Sequence, residues 1–140
     1  MNVESEGPPC GCGSHGCLEQ FASATAVVRM AREAGLAEQT AEAVHRRASS
    51  GDEAALRVFR TMGRALGIAL ADLVNIFNFP LYVLAGGVIG AWDLFAPALL
   101  EEVERRSFVY RAGGTEIHPA QLGKETGLYG AAYLPMQTLS

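Results

Sequence analysis

From Asp52 onward, apolar residues recur at steps of three and four: Ala55, Phe59, Met62, Leu66, Leu70, Leu73 and Phe77. That spacing places them on one face of a helix. Asp52 is positioned to cap its start, and Asn78-Phe79-Pro80 breaks it. A helix from Asp52 to about Phe77 would be roughly 40 Å long at about 1.5 Å per residue, which suits a central helix lying against a sheet. Gly63 and Gly67 lie four apart on it and predict close packing against another element.

The flanking patterns are shorter. Glu19 to Ala34 reads as helical through Phe21, Val27, Val28, Met30 and Ala31, with Ser23 as a cap between two pieces and Gly35 as a stop. Thr40 is a suitable N-cap for a short helix to about Ala48, and Ser49-Ser50-Gly51 is a turn. Leu81 to Ala85 is wholly apolar, the pattern of a strand buried on both faces, and Gly86-Gly87 ends it. Ala91 to about Phe108 predicts a helix with Leu94, Phe95, Leu99 and Val103 inward and Glu101, Glu102 and Glu104 outward. Tyr110 to Gly114 reads as a turn, Thr115 to His118 as a short strand, and Gly127 to about Leu134 as a last helix that Pro135 ends or kinks. Met1 to Pro9 is a loop or an edge strand. The order of elements implies an α/β layer structure. Two clear strands make a poor sheet, so further strands are expected from Met1 to Pro9, from an upstream segment or from a partner chain.

Composition narrows this picture. The chain has 140 residues, 49% apolar and 19% charged, with a net charge of -4. That is a globular balance with room for one core and no electrostatic footprint for nucleic acid. The apolar stretch from Leu66 to Trp92 is interrupted by Asp72, Asn75, Asn78 and Pro80, whereas a membrane span needs about 20 nearly uninterrupted apolar residues. The first ten residues have no basic start and no apolar run, so no signal peptide is visible and a cytoplasmic location is the expectation.

Cys10, Cys12 and Cys17 crowd into eight positions. With no export signal, such crowding points to metal rather than to structural disulfides. Zinc prefers four tetrahedral ligands and accepts thiolates, and the glycines at 11, 13 and 16 let the backbone fold tightly around three sulfurs. His15 lies inside the loop but is expected to face outward. Buried or accidental thiols without metal remain one alternative, and a redox role, for which no C-x-x-C pair is present, the other.

The run Cys10-Gly11-Cys12-Gly13-Ser14-His15-Gly16-Cys17-Leu18-Glu19 closely resembles the signature Cys-x-Cys-Gly-x-x-Gly-Cys-x-Glu of the ROK family of sugar kinases and sugar-responsive repressors, and every defined position matches. The resemblance implies the C-terminal lobe of an actin-like, hexokinase-like (ribonuclease H-like) α/β ATPase fold with a small zinc knuckle. Residues 1–19 would form the knuckle and residues 20–140 the helical and nucleotide-side segment. It further implies that Cys10, Cys12 and Cys17 bind Zn2+ with a histidine ten residues before the first cysteine, one position ahead of Met1, so the fourth ligand is expected to lie outside this chain. It implies that Glu19 hydrogen-bonds a sugar hydroxyl. The segment from Leu73 to Val88 resembles the family's nucleotide segment, in which the turn at Gly86-Gly87 lies against the adenosine of ATP.

The resemblance also defines what is missing. No Asp-x-Gly-Gly-Thr phosphate loop occurs; Gly113-Gly114-Thr115 lacks the aspartate, and Asp52, Asp72 and Asp93 all lie in helical contexts. The expectation is therefore half of an ATP- and Mg2+-dependent hexose kinase of the glucokinase type, inactive alone and prone to form a homo-oligomer. The alternatives are the effector domain of a sugar-responsive repressor and a non-catalytic zinc-stabilised interaction module.

Overall fold

A computed structural model describes residues 1–121 and 126–137. After a single 3-10 turn at Leu18–Gln20, helix α1 spans Ala24–Glu33, α2 Ala41–Ser49 and α3 Glu53–Phe77. Strand β1 is Leu81–Leu84. A second 3-10 turn, Ile89–Ala91, leads into α4 (Trp92–Arg106) and the short α5 (Phe108–Arg111). Strand β2 is Glu116–Pro119, and α6 is Thr126–Gln137.

The caps expected from sequence are formed. Ser23, Thr40 and Asp52 each accept a hydrogen bond from the backbone N–H three residues on, at Ala26, Ala43 and Ala55. Each thereby satisfies one amide that the first helical turn leaves free. At the other end of α3, Asn78 takes the left-handed conformation (φ 49°) and its N–H bonds to the Val74 carbonyl.

Helix α3 is the central element, packed along α4 and flanked by α1, α2 and α5. Its fully buried Phe59 and Met62 meet Phe95 and Leu99 of α4 and Val27 and Val44 of α1 and α2 in one core. Gly63 and Gly67 explain how closely α3 and α4 approach. A Cβ at Gly67 would stand 2.6 Å from the Leu99 carbonyl oxygen, and one at Gly63 would overlap the Phe95 carbonyl.

The strands β1 and β2 pair in parallel, Leu81 opposite Glu116 and Leu84 opposite Pro119, with α4 and α5 between them in sequence. This βαβ unit is fastened to α3 by polar contacts. The Tyr82 hydroxyl donates to the Leu73 carbonyl (3.0 Å), and the fully buried Ser107 hydroxyl donates to Asn75 Oδ1 (2.7 Å). No described helix is long and apolar enough to cross a membrane.

Several local expectations are corrected. β1 is not buried on both faces: Leu81 and Val83 are exposed, because only Tyr82 and Leu84 turn toward the helices and the opposite face has no covering layer among the described residues. Phe77 is exposed for a related reason, at the last turn of α3, where it stacks on Phe79 (ring centroids 5.5 Å apart). Glu102 faces inward rather than outward and is 4% exposed. Its carboxylate is met by Arg105 and Arg106 of its own helix, with Arg64 of α3 4.0 Å away. The segment after Ser107 is not all turn, since Ser107 caps the short α5 by accepting from the Tyr110 N–H. The last helix continues two residues beyond Pro135, to Gln137, as an established helix can when a proline costs it one backbone hydrogen bond near its end.

Burial alone would raise the pKa of Glu102, but hydrogen bonds from Arg106 and Arg105 outweigh it and hold the carboxyl below its ordinary range. A depressed carboxylate stabilises the fold above its unfolded pKa, and that stabilisation is lost as pH falls through the depressed value. Glu102→Gln is therefore expected to cost about 1–2 kcal/mol at pH 7, a charge-assisted contact discounted for exposed arginines. Urea unfolding of the two proteins should converge in acid. Gly67→Ala should cost about 1–3 kcal/mol by overpacking, read as a lowered denaturation midpoint with an unchanged slope.

Candidate functional site

The cysteine segment folds on a backbone frame that does not involve its thiols. Residues 1–4 lie against residues 16–18: Val3 N–H donates to the Gly16 carbonyl (2.9 Å) and Leu18 N–H to the Met1 carbonyl (2.8 Å). Asn2 and Cys17 form an antiparallel bridge, as do Pro9 and His15. The turn between them is closed by Cys10 N–H to the Ser14 carbonyl (2.8 Å) and Gly13 N–H to the Cys10 carbonyl (3.0 Å). Gly16 has φ +60°, and any Cβ there would fall onto the Glu4 carbonyl oxygen, so this position requires glycine.

This frame brings the three thiols together. The sulfurs of Cys10, Cys12 and Cys17 all lie within 4.8 Å of one another, Cys12 and Cys17 at 3.5 Å. Sulfurs bound tetrahedrally to one ion at about 2.3 Å would be about 3.8 Å apart, so the cluster has the dimensions to hold a metal. Cys17 is buried and Cys12 exposed. Hydrogen bonding to Cys12 and Cys10, followed by burial, pushes the Cys17 thiol up to about 11. The Ser14 backbone N–H, with Cys17 and Cys10, lowers that of Cys12. His15 is exposed and stands outside the cluster, as expected.

Glu19 is exposed and sits beside the cluster, its Oε2 3.7 Å from Cys10 Sγ. Its backbone is fixed by the Ser23 hydroxyl, which donates to the Glu19 carbonyl (2.8 Å) while capping α1. One serine thus orients both the helix start and the carboxylate-bearing turn.

Gly86 and Gly87 follow the C-terminal end of β1, where open α/β sheets commonly receive ligands. Gly86 has φ +118°, and a Cβ at either glycine would meet no atom within 4 Å. Below the turn is a cavity of about 170 Å³ that Gly87 and Val88 line from above and Glu42, His45 and Phe59 from the helices. Sequence reading missed Glu42 and His45. Their i, i+3 spacing on α2 was the available signal, but it gains meaning only once α2 is placed under the turn.

A parallel βαβ unit on a long central helix, with a glycine turn after its first strand and a thiol knuckle at its N-terminal end, has the α/β architecture of a sugar-kinase lobe. Residues 1–138 match the ROK family, and the chain belongs to it. The glucokinase of Halalkalibacterium halodurans is 34% identical over 150 residues, covering 96% of this chain and 45% of that protein. A xylose repressor of Bacillus spizizenii is 26% identical, covering 98% of this chain and 35% of that protein. Among solved structures, a ROK family glucokinase from Streptomyces griseus in complex with glucose and AMPPNP superposes with a TM-score of 0.80 at 31% identity, over 96% of this chain and 49% of that one. The chain spans about half the length of the glucokinases it matches and a smaller share of the repressor, in keeping with the half-length expectation.

The thiol environments predict an order of reaction in metal-free protein. Iodoacetamide at mildly alkaline pH should modify Cys12 first and Cys17 last, because the thiolate is the nucleophile. Peptide mass mapping against time would show it, and fastest labelling at Cys17 would contradict the assigned environments.

Proposed function

We propose that this chain is the C-terminal lobe of an ATP-dependent hexose kinase of the glucokinase type, residues 1–19 forming a zinc knuckle and residues 20–140 the helical and nucleotide-side segment. The observation that carries this reading is Glu19 standing 3.7 Å from the Cys10 sulfur within a clustered three-thiol knuckle. In this reading Cys10, Cys12 and Cys17 hold Zn2+, a structural cross-link added to a turn that the backbone already frames beside Glu19. The Glu19 carboxylate accepts hydrogen bonds from hexose hydroxyls, a task suited to two oxygens with several lone pairs. Gly86 and Gly87 admit the nucleoside of ATP closely because they carry no Cβ. The lobe works in a cytoplasmic enzyme and binds neither membrane nor nucleic acid.

Phosphoryl transfer depends on positioning, Mg2+ and phosphate contacts. No aspartate–glycine phosphate loop occurs among the 140 residues, so in this reading the chain binds ligands but does not turn them over. The exposed apolar residues Ile76, Phe77, Phe79, Leu81 and Val83 support association with a second copy. A second reading, the effector lobe of a sugar-responsive repressor, is supported by similarity to the xylose repressor across 98% of the chain. The higher identity to glucokinase, 34% against 26%, favours the kinase.

Atomic emission analysis of the purified chain is expected to find one zinc per chain, lost in Cys12→Ser. Titration with glucose should show binding that Glu19→Ala weakens by about tenfold or more, the loss of a charged hydrogen bond of about 1.5–3 kcal/mol. Zinc-free folded protein or unaltered glucose affinity in Glu19→Ala would remove the corresponding part of the proposal. Coupled assay of the pure chain with ATP and glucose should show no turnover above a zinc-stripped control.

A further inference from the structure

We propose that Cys12 and Cys17 form a thiol–disulfide modification site. In the metal-free chain a small disulfide of the glutathione type oxidises them to an intramolecular bridge, with Cys12 as the attacking sulfur, and leaves Cys10 a thiol. The bridge does not depend on the zinc reading above; only its consequence, loss of the metal, rests on that reading.

The geometry separates the three thiols. The sulfurs of Cys12 and Cys17 stand 3.5 Å apart. A disulfide is about 2.05 Å long, so bonding requires them to close by about 1.5 Å. Cys12 is the side that can move. It is exposed and lies between Gly11 and Gly13, and a Cβ added at either glycine would meet no atom within 4 Å. Cys17 is buried, and its backbone is held: it bridges to Asn2, and its carbonyl accepts from the Gln20 N–H (2.8 Å). Cys10 belongs to the same cluster, but its Sγ donates to Glu19 Oε2 (3.7 Å), and its backbone is tied to Ser14 and Gly13 across the turn. One thiol is thus open to an incoming disulfide, a second is fixed behind it, and the third is turned to a carboxylate. The fold supplies the proximity that a C-x-x-C spacing would otherwise encode.

The chemistry is two successive exchanges. The Cys12 sulfur attacks one sulfur of the glutathione disulfide. A Cys12–glutathione bond forms, the reagent's S–S bond breaks, and the first glutathione leaves as a thiol with the proton that Cys12 gave up. Cys17 then attacks the Cys12 sulfur and expels the second glutathione, which takes the Cys17 proton. Two protein thiols lose two electrons, and one glutathione disulfide becomes two glutathiones. A bridged sulfur offers no thiolate, so bridge and metal exclude each other. The backbone frame between residues 1–4 and 16–18 does not involve sulfur, so oxidation alters metal occupancy rather than the fold. In a reducing compartment such bridges form transiently, as redox-sensing events.

The test treats the purified chain, stripped of metal by a chelator under reductant, with oxidised glutathione near neutral pH. Free thiols are then alkylated in acid, and the sites are assigned by intact mass and fragmentation of the peptide that carries all three cysteines. Wild type should lose two hydrogens, with Cys10 alone alkylated. Cys10→Ser should form the same bridge at a rate within about threefold. Cys17→Ser should instead accumulate one glutathione on Cys12, and Cys12→Ser should form no bridge. Circular dichroism melts of bridged and reduced chain should superimpose. Three alkylated cysteines after prolonged oxidation, a bridge that includes Cys10, or a disulfide between two chains would overturn the proposal. Zn2+ added before the oxidant should slow bridging by at least about tenfold, and a chromophoric chelator should register its release in step with bridging. Bridging that Zn2+ does not slow would support the modification site and count against the zinc reading, whereas bound zinc in a chain that never bridges when metal-free would do the reverse.

Discussion

The close approach of α3 and α4 at Gly63 and Gly67 is the contact on which the other elements depend. Without side chains at these two positions, backbone carbonyls of α4 come to rest directly on α3. That contact sets the height of β1 and β2, because α4 is the crossover between the parallel strands. It also carries Glu102 into the interface, where the carboxylate is tolerable only because Arg105, Arg106 and Arg64 surround it. The turn bearing Gly86 and Gly87 joins β1 to the start of α4 and so is anchored at both ends by elements packed on α3.

The two candidate ligand regions are built differently. The knuckle is a backbone construction: glycine at position 16, paired residues 1–4 and 16–18, and a tight turn at 10–14 bring three thiols together. The cavity under the glycine turn is a tertiary construction, with walls from α1, α2, α3 and the segment after β1. Disturbing helix packing would therefore damage the second region more than the first.

This difference explains what could be read from the chain before its fold was known. Local chemistry was legible: Ser23, Thr40 and Asp52 cap their helices because the same short side chains do so in any protein. The thiol knuckle was legible because its spacing is itself the geometry. The exposed face of β1 was not, because an apolar run reads as buried whether or not the covering layer belongs to the same chain. Glu102 was misread as outward because helical periodicity marks a glutamate as polar and does not reveal three arginines arriving from two helices. Glu42 and His45 became candidates only through placement, since their partners in the cavity lie far along the chain.

The pairing of residues 1–4 with residues 16–18 has a thermodynamic consequence for the knuckle. In small metal-dependent domains most of the binding energy goes into ordering an unfolded ligand loop. Here five backbone hydrogen bonds, from Val3, Cys10, Gly13, Gly16 and Leu18, hold the loop by a route independent of sulfur. A metal ion held by the three thiols would meet a main chain that is already arranged, and its affinity would go mainly into holding the ion rather than into folding the loop. As a metal site the knuckle would accordingly be a clasp set on a finished fold, not a nucleus from which the fold grows.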